Sequence, residues 1–341
     1  MYPPRPPSAY ISVFVVILAT AVALVLAPTR YLTVARDLAH RAYSRVSTPA
    51  PVKQQFAGNM STRTPIYFLS HGGPNVIYDT EHPAHSKLQE IGREVTQKVK
   101  PKGVVVFSAH WQGEPNVIEV NTAEDTDIIY DFYGFPESYY KAKYPHKGST
   151  PLAEKVMSLL GASGIRAEPR QRGLDHGVWG IFKVAFDPET NPLNVPIVQV
   201  SLFDNEDPDQ HYALGRAVSS LRTQNIQIVV SGMAVHNLRD IWLGMRTPGA
   251  LAYTKTFDEA LMGAATAAEE DGRQEKMAAL LKRSDARRAH PTLEHLLPIF
   301  VGAGAAEDDR GKRLWTMHEG SLSWAQYRFG DLPSTNEVSV T

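Results

Sequence analysis

Histidines at the ends of apolar runs are the side chains in this sequence best suited to chemistry. His71 follows the run IYFLS, His110 follows VVVFSA, and His236 comes shortly after IQIVVS. Such runs predict buried strands, and ligands of parallel sheets bind beyond the carboxyl ends of the strands. Because imidazole nitrogen is a common ligand of divalent metals, the pattern predicts a metal site at one edge of one sheet.

Two further histidines stand in distinctive settings. His176 lies in LDHGVWG, between Asp175 and a predicted helix start, which suits a group that accepts and returns a proton. His295 lies in HPTLEHLLP, where we expect Pro298 to bend a helix and leave His295 on its distorted first turn. Each motif alone also fits a plain turn or a histidine that borders the core. The five motifs together favour one shared site.

Composition excludes several classes of site. The 341 residues include no cysteine, so disulfides, thiolate nucleophiles, Cys-based zinc sites and iron–sulfur clusters are ruled out. The formal net charge is −1 and no basic patch alternates with aromatic residues, so we expect no nucleic-acid partner. The serine elbow, the P-loop, the dinucleotide fingerprint and the HExxH motif do not occur. A metal would therefore be held by His, Asp or Glu.

Strands alternate with helices over most of the chain. The predicted strands are 66–70, 103–108, 116–120, 196–201 and 226–231. The predicted helices are 85–100, 151–163, 210–223, 254–270 and 273–283. This order predicts an α/β fold with a largely parallel central sheet that is covered on both faces.

The N-terminal part differs from the rest. Residues 10–27 carry no charged side chain and, at about 1.5 Å per residue, nearly match a bilayer core of about 30 Å. We expect residues 1–28 to be a membrane anchor or signal, 29–63 a linker and 64–335 one catalytic domain. The choice between a cleaved signal and a retained anchor is open. Arginines after the segment favour a cytosolic or matrix side and permit a mitochondrial address, whereas the sequon at Asn59 would matter in a secretory route.

Several longer sequence words resemble one family. They are SHGGP, VVFSAHW, DFYGFPESYY, LDHGVWG, PIVQVSL, VSGMAVHNLRD, HPTLEHLLPIFVGAGAA and SLSWAQYRF, in order from about residue 65 to 330. At these residues the chain resembles the class III extradiol ring-cleavage dioxygenases of the LigB superfamily, in the branch similar to DOPA-4,5-dioxygenase. The N-terminal membrane segment lies outside the resemblance.

The resemblance implies a fold, a metal and roles for the histidines. It implies a three-layer α/β sandwich and a site for Fe(II), with Zn(II) also accommodated. His71 and His110 would bind the metal, His236 and His295 would be further members of the metal site, and His176 would be the acid/base. In addition, Trp111, Tyr133 and Phe135 are candidates for the substrate pocket and Asp131 for orienting a ligand, with packing or turn roles equally open.

The function we expect is extradiol cleavage of a catecholic, DOPA-like substrate by O₂. Two alternatives use the same histidines. One is a zinc-dependent hydrolase that acts without O₂, and the other is a membrane-tethered zinc-binding protein without catalysis.

Overall fold

The structure is a computed structural model that describes residues 63–333. The predicted membrane segment, residues 10–27, and nearly all of the predicted linker lie outside these residues. Within residues 63–333, no helix has both the length and the apolar character needed to cross a bilayer.

Four parallel strands form the centre of an eight-stranded sheet. They are β1 (Ile66–Ser70), β2 (Gly103–Gln112), β5 (Ile197–Leu202) and β6 (Ile226–Gly232), and they lie in the order β5-β2-β6-β1. Their Val, Ile and Phe side chains alternate between the two faces, and both faces are buried.

Antiparallel pairings occur on both sides of this centre. β3 (Ile118–Asn121) pairs antiparallel with β5 and parallel with β4 (Ala167–Arg170). On the other side, β11 (Gln326–Phe329) pairs antiparallel with β1 and with β8 (Gly311–Trp315). The sheet is therefore mixed, and the prediction of a largely parallel sheet applies only to its four central strands. The outer strands β4, β8 and β11 are short and were not predicted from the sequence.

A second, three-stranded sheet lies beside the first. It consists of β7 (Val235–His236), β9 (His318–Glu319) and β10 (Leu322–Ser323), in the order β7-β10-β9. The register of this small sheet pairs His236 with Leu322. It thereby fixes the position of the segment that follows β6.

Nine α-helices are described, and they cover both faces of the large sheet. They are α1 (Pro83–Glu94), α2 (Thr150–Ala162), α3 (His176–Ala185), α4 (Pro208–Val218), α5 (Ile241–Arg246), α6 (Ala252–Ala265), α7 (Arg273–Leu280), α8 (Ala286–Ala289) and α9 (Leu297–Ala306). α1 and α3 pack on the face that carries Tyr67, Val104 and Val229. α2, α4 and α9 pack on the face that carries Phe68, Val105 and Val230.

Two local predictions differ from the structure. β2 continues to Gln112, so His110 lies inside the strand, next to a shift in the register between β2 and β5. Pro298 lies in the first turn of α9 and does not bend a helix, because the residues before Leu297 form turns. A proline is well accommodated there, since the first helical N–H groups have no intrahelical acceptor.

Candidate metal centre

Adjacent parallel strands bring the first two histidines together. β6 lies between β1 and β2, and its Ser231 pairs in register with Leu69 on one side and Ser108 on the other. His71 directly follows β1, and His110 lies near the end of β2. As a result, the Nε2 atoms of His71 and His110 face each other at 3.2 Å.

Neighbouring acceptors determine which nitrogen of each ring is protonated. Ser231 donates its hydroxyl hydrogen to the carbonyl of Gly177, so its Oγ accepts from Nδ1 of His71, 2.9 Å away. Nδ1 of His110 lies 3.2 Å from Oδ2 of Asp131, and an ionised carboxylate can only accept. In the neutral form of each ring, Nε2 is therefore unprotonated and presents a lone pair.

In the neutral rings, two facing lone pairs at this distance repel each other unless a metal cation or a proton lies between them. Two nitrogens that share a metal at about 2.0–2.1 Å would lie about 3.0 Å apart at right angles and about 3.3 Å apart at the tetrahedral angle. The observed 3.2 Å separation of the two Nε2 atoms falls in that range. The residues present therefore fit a divalent metal.

His295 completes a set of three. His71, His110 and His295 each offer a nitrogen within 4.8 Å of the others. Nδ1 of His295 lies 2.9 Å from Oε1 of Glu294, which leaves Nε2 of the neutral ring with a lone pair. His295 is held by the chain itself, because its carbonyl accepts from the backbone N–H of Met233.

His236 lies against His295 and not inside this set. Its ring stacks on that of His295 with 3.6 Å between the centroids and 15° between the planes. Its nitrogen forms a possible ligand group with Glu294 and His295, but no group that also includes His71 or His110. The structure thus brings together three of the four predicted ligands, with the fourth beside them.

Asp131 connects His110 to His176. Oδ1 of Asp131 accepts from the backbone N–H of His176 at 2.8 Å and lies 3.1 Å from Nδ1 of the same residue. The rings of His110 and His176 are 4.2 Å apart. One carboxylate therefore orients a predicted ligand and the predicted acid/base, and Nε2 of a neutral His176 is left to accept a proton.

Burial and mutual repulsion keep most of these rings neutral. Burial lowers the pKa of His71 and His295 well below the usual value, and the neighbouring imidazoles lower it further. Burial also lowers the pKa of His236, to about 3. Burial acts on His110 in the same direction, but the contact with Asp131 and the charges of Asp175 and Glu294 together outweigh it, and the pKa is raised. Burial would raise the pKa of Asp131, yet His110 and His176 hold it well below its usual range.

Two glycines permit the close approach of these elements. Gly72 has φ of +60°, and a Cβ there would lie 1.8 Å from the ring of Trp324. A Cβ on Gly177 would lie 2.8 Å from Cδ2 of His110. The glycines next to His71 and His176 therefore leave room for the rings that they adjoin.

Asp175 is buried beside the site and accepts from three groups. They are the hydroxyl of Ser108, the guanidinium of Arg172 and the amide of Gln199. Arg172 also donates to the carbonyl of His110 at 3.2 Å. Asp175 precedes α3 in the N-cap position, but its side chain serves this network and makes no capping hydrogen bond.

The structure separates the predicted pocket residues. Asp131 lies at the centre of the site. Trp111 is turned away: its Nε1 donates to Glu119 at 2.9 Å, and Arg172 lies over its ring. Tyr133 is 92% exposed, and Phe135 packs on Tyr139 and on Phe132, at 5.3 Å between centroids in each case.

Other residues form the surroundings that the sequence did not reveal. Phe132 stands edge-on to the ring of His176, with centroids 5.5 Å apart. A cleft of about 470 Å³ opens beside three of the histidines and is lined by Ala109, His110, Gln112, His236, Leu238, Arg239, Pro291, Thr292, Glu294 and His295. In the sequence, Arg239 lies shortly after His236, and Glu294 directly precedes His295. This proximity is the only signal that could have identified the two residues as part of the cleft wall.

The family model for the catalytic LigB subunit of aromatic ring-opening dioxygenase matches residues 64–329. The chain belongs to the LigB family. It is 34% identical to a 4,5-DOPA dioxygenase extradiol of Beta vulgaris, over 77% of this chain and 95% of the relative. It is 32% identical to a 4,5-DOPA dioxygenase extradiol-like protein of Schizosaccharomyces pombe, over 73% of this chain and 86% of that one. The predicted resemblance is confirmed.

A solved structure agrees in fold. An uncharacterised protein of Escherichia coli K12 superposes with a TM-score of 0.64 at 28% identity, covering 79% of this chain and 100% of that one. The predictions of an α/β fold and of an enzyme, an extradiol ring-cleavage dioxygenase, are confirmed. LigB membership also implies metal dependence, a small-molecule aromatic substrate and O₂.

Proposed function

We propose that this enzyme opens a catechol ring at a divalent metal held by His71, His110 and His295. Fe(II) is the metal of the active form in this proposal, and Zn(II) is an alternative occupant. The observation that supports the proposal most is the 3.2 Å approach of the Nε2 atoms of His71 and His110, each of which carries a lone pair in the neutral ring. When bound there, the metal supplies Lewis acidity toward the catechol hydroxyls and the redox chemistry that O₂ requires.

His236 is proposed as an outer member of the metal site. Its ring covers the face of His295, and its side chain lines the cleft. In this position its ring limits the movement of the His295 ring. Its nitrogen is available to a molecule that enters the cleft.

His176 is proposed to move the proton. With Nδ1 lying 3.1 Å from Oδ1 of Asp131, its Nε2 accepts the proton of a catechol hydroxyl and later returns it. Oδ1 of Asp131 also accepts from the backbone N–H of His176, and the ring of Phe132 stands edge-on to the imidazole. The short distance to His110 places the proton acceptor next to the metal ligands.

A DOPA-like catechol is the substrate class that we propose. Relatives named 4,5-DOPA dioxygenase extradiol support this class. Arg239 on the wall of the cleft supplies a cation for a substrate carboxylate. We expect Arg239→Gln to raise KM for DOPA and to leave KM for unsubstituted catechol nearly unchanged.

The N-terminal segment is proposed to act separately from catalysis. In this proposal residues 10–27 insert into a membrane, as a single retained pass or as a targeting signal, residues 29–63 form a linker and residues 64–335 form the catalytic domain. The family match from residue 64 onward supports that division. Extraction of the expressed chain with alkaline carbonate and sequencing of its N-terminus would distinguish a retained pass from a cleaved signal.

The decisive experiment loads the full chain with Fe(II) and supplies a panel of catechols with and without O₂. We expect oxygen uptake together with a yellow semialdehyde product. His176→Ala should lose ring cleavage, by about 10²–10⁴-fold, while it retains bound metal. His146→Ala, at a half-buried histidine that hydrogen-bonds to Thr126, is the matched control and should keep full activity. Equal turnover without O₂ would contradict the proposal and favour the hydrolase.

A further inference from the structure

Exposed apolar side chains are concentrated in one short segment. Residues 63–333 contain six large hydrophobic side chains that are exposed, and four of them lie between residues 238 and 245. They are Leu238 at 58%, Trp242 at 70%, Leu243 at 47% and Met245 at 71% of full exposure. A cluster of this kind marks a surface that contacts something else.

The apolar side chains lie on one side of the segment, and its opposite side packs against the rest of the protein. It begins with the 3₁₀ turn Leu238–Asp240 and continues into α5. Leu238, Trp242 and Met245 follow the spacing i, i+4, i+7, which places them on one helical face. Gly244 is packed so closely that a Cβ would lie 2.8 Å from Cα of Gly320. The apolar face is therefore held outward.

The surroundings of this face carry more positive than negative charge. The segment contains Arg239 and Arg246 against one acid, Asp240. The carboxylate of Asp240 accepts from the hydroxyl of Tyr253 and lies 3.5 Å from Nε of Arg288. Among the described residues, Arg246 has no carboxylate within 4.0 Å. Three guanidinium groups thus lie in or against the segment with the carboxylate of Asp240, and Glu294 is the one acid on the adjoining cleft wall.

We propose that the segment from Leu238 to Arg246 is a lipid-contacting element that binds an anionic membrane surface. Trp and Leu side chains insert at the boundary between headgroups and acyl chains, and an arginine such as Arg246 pairs with an anionic headgroup, whereas Arg239 faces the cleft. A second copy of this chain fits less well, since a two-fold contact through the same patch would bring like charges together.

The lipid-contacting element is continuous with the catalytic cleft. Leu238 and Arg239 belong to the cleft wall, together with His236 and His295. Seating the element on a membrane therefore places the cleft mouth at the lipid surface, where catechols that partition into lipid are concentrated. The contact itself does not depend on the proposed ring cleavage, so it can fail or hold independently of it.

The chain offers a clean test because it contains no cysteine. Met245→Cys in the full chain provides a single site for an environment-sensitive fluorophore. Thr223→Cys provides the matched control, because Thr223 is exposed and precedes β6, whereas the histidines lie beyond its other end. Both labelled proteins are mixed with phosphatidylcholine vesicles, with and without phosphatidylserine, and with lipids that carry a nitroxide quencher.

We expect a blue shift and quenching for the label at position 245 on vesicles that contain phosphatidylserine, and neither for the label at 223. Adding Arg246→Gln should raise the lipid concentration that is needed by about fivefold. Equal responses of the two labels, or no response at 245, would overturn the proposal. A response at 245 that grows with protein concentration without vesicles would overturn it in favour of a second copy.

Discussion

Nδ1 of His110 lies 3.2 Å from Oδ2 of Asp131, and the other oxygen of the same carboxylate serves His176. A single side chain thus contacts both a proposed metal ligand and the proposed proton acceptor. Removing its charge should therefore affect metal binding and catalysis together, which replacement of His176 alone should not.

Asp131→Asn should weaken metal binding by about 10–100-fold, because the carboxylate raises the basicity of its ligand. Competition with a chelator measures the affinity, and kcat of the fully loaded protein measures the catalytic part. Asp127→Asn is the matched control: it lies on the same loop and is exposed, and it should change neither quantity. Unaltered affinity in Asp131→Asn would show that His110 does not need the carboxylate.

The aromatic wall of the site should be Phe132. Phe132→Ala removes the ring that stands against His176 and should lower kcat/KM by about two- to tenfold, in the range measured for aromatic pairs. Trp111→Phe keeps an apolar ring and should leave kcat/KM nearly unchanged, since Trp111 contacts Glu119 and Arg172. Steady-state kinetics with one catechol compares kcat/KM of the two variants. A larger loss in Trp111→Phe than in Phe132→Ala would identify Trp111, and not Phe132, as the aromatic wall.

Gly72→Ala should destabilise the protein strongly. The new Cβ would overlap the ring of Trp324, and alanine at φ of +60° adds a backbone cost of about 1–2 kcal/mol. Gly134→Ala isolates the backbone cost, because its φ is +79° and no atom lies within 4 Å of the added Cβ. Urea unfolding should give a clearly larger loss of unfolding free energy at Gly72. Equal losses would show that Trp324 moves aside freely.

Acid should destabilise the fold through a histidine outside the site. Burial lowers the pKa of His211 to about 4, and the ring is fully buried beside Phe203. The unfolded chain, with a pKa of about 6.5, binds this proton first, so stability should fall by about 3 kcal/mol between pH 6.5 and pH 4. His290, whose pKa burial also lowers to about 4, adds a loss in the same range.

His211→Gln tests this dependence. The variant should be less stable than the natural chain at pH 7, because it loses a packed ring that donates to the carbonyl of Asp207. Its unfolding free energy should fall less steeply from pH 6.5 to pH 4, so that the two curves approach each other. Parallel curves over that range would exclude His211 as a source of the acid sensitivity.

The strands that hold the first two ligands could be predicted because their sequences are unbroken apolar runs. β1 begins and ends where predicted, and β2, β5 and β6 differ by only a few residues. The outer strands could not be predicted in this way, since β4 and β8 are short and half-exposed. Their pairing depends on neighbours that are distant in sequence.

The orientation of Trp111, away from the site, could have been predicted from the sequence. Successive side chains of a strand point to opposite faces, so a strand that turns His110 into the site turns Trp111 away from it. The residues between β3 and α2 gave no such signal. They follow no period, and nothing in their order indicates that Asp131 and Phe132 face His176 while Tyr133 faces solvent.

The two facing lone pairs exist only once the whole central sheet is assembled. His71 and His110 are 39 residues apart, and Ser231, which sets the tautomer of His71, is a further 121 residues along the chain. With the proposed metal site, an unfolded chain offers no high-affinity ligand set, and metal uptake would be a late step of maturation. Each increase in free metal then protects the native protein by mass action, so the supply of metal would set the lifetime of this enzyme as well as its activity.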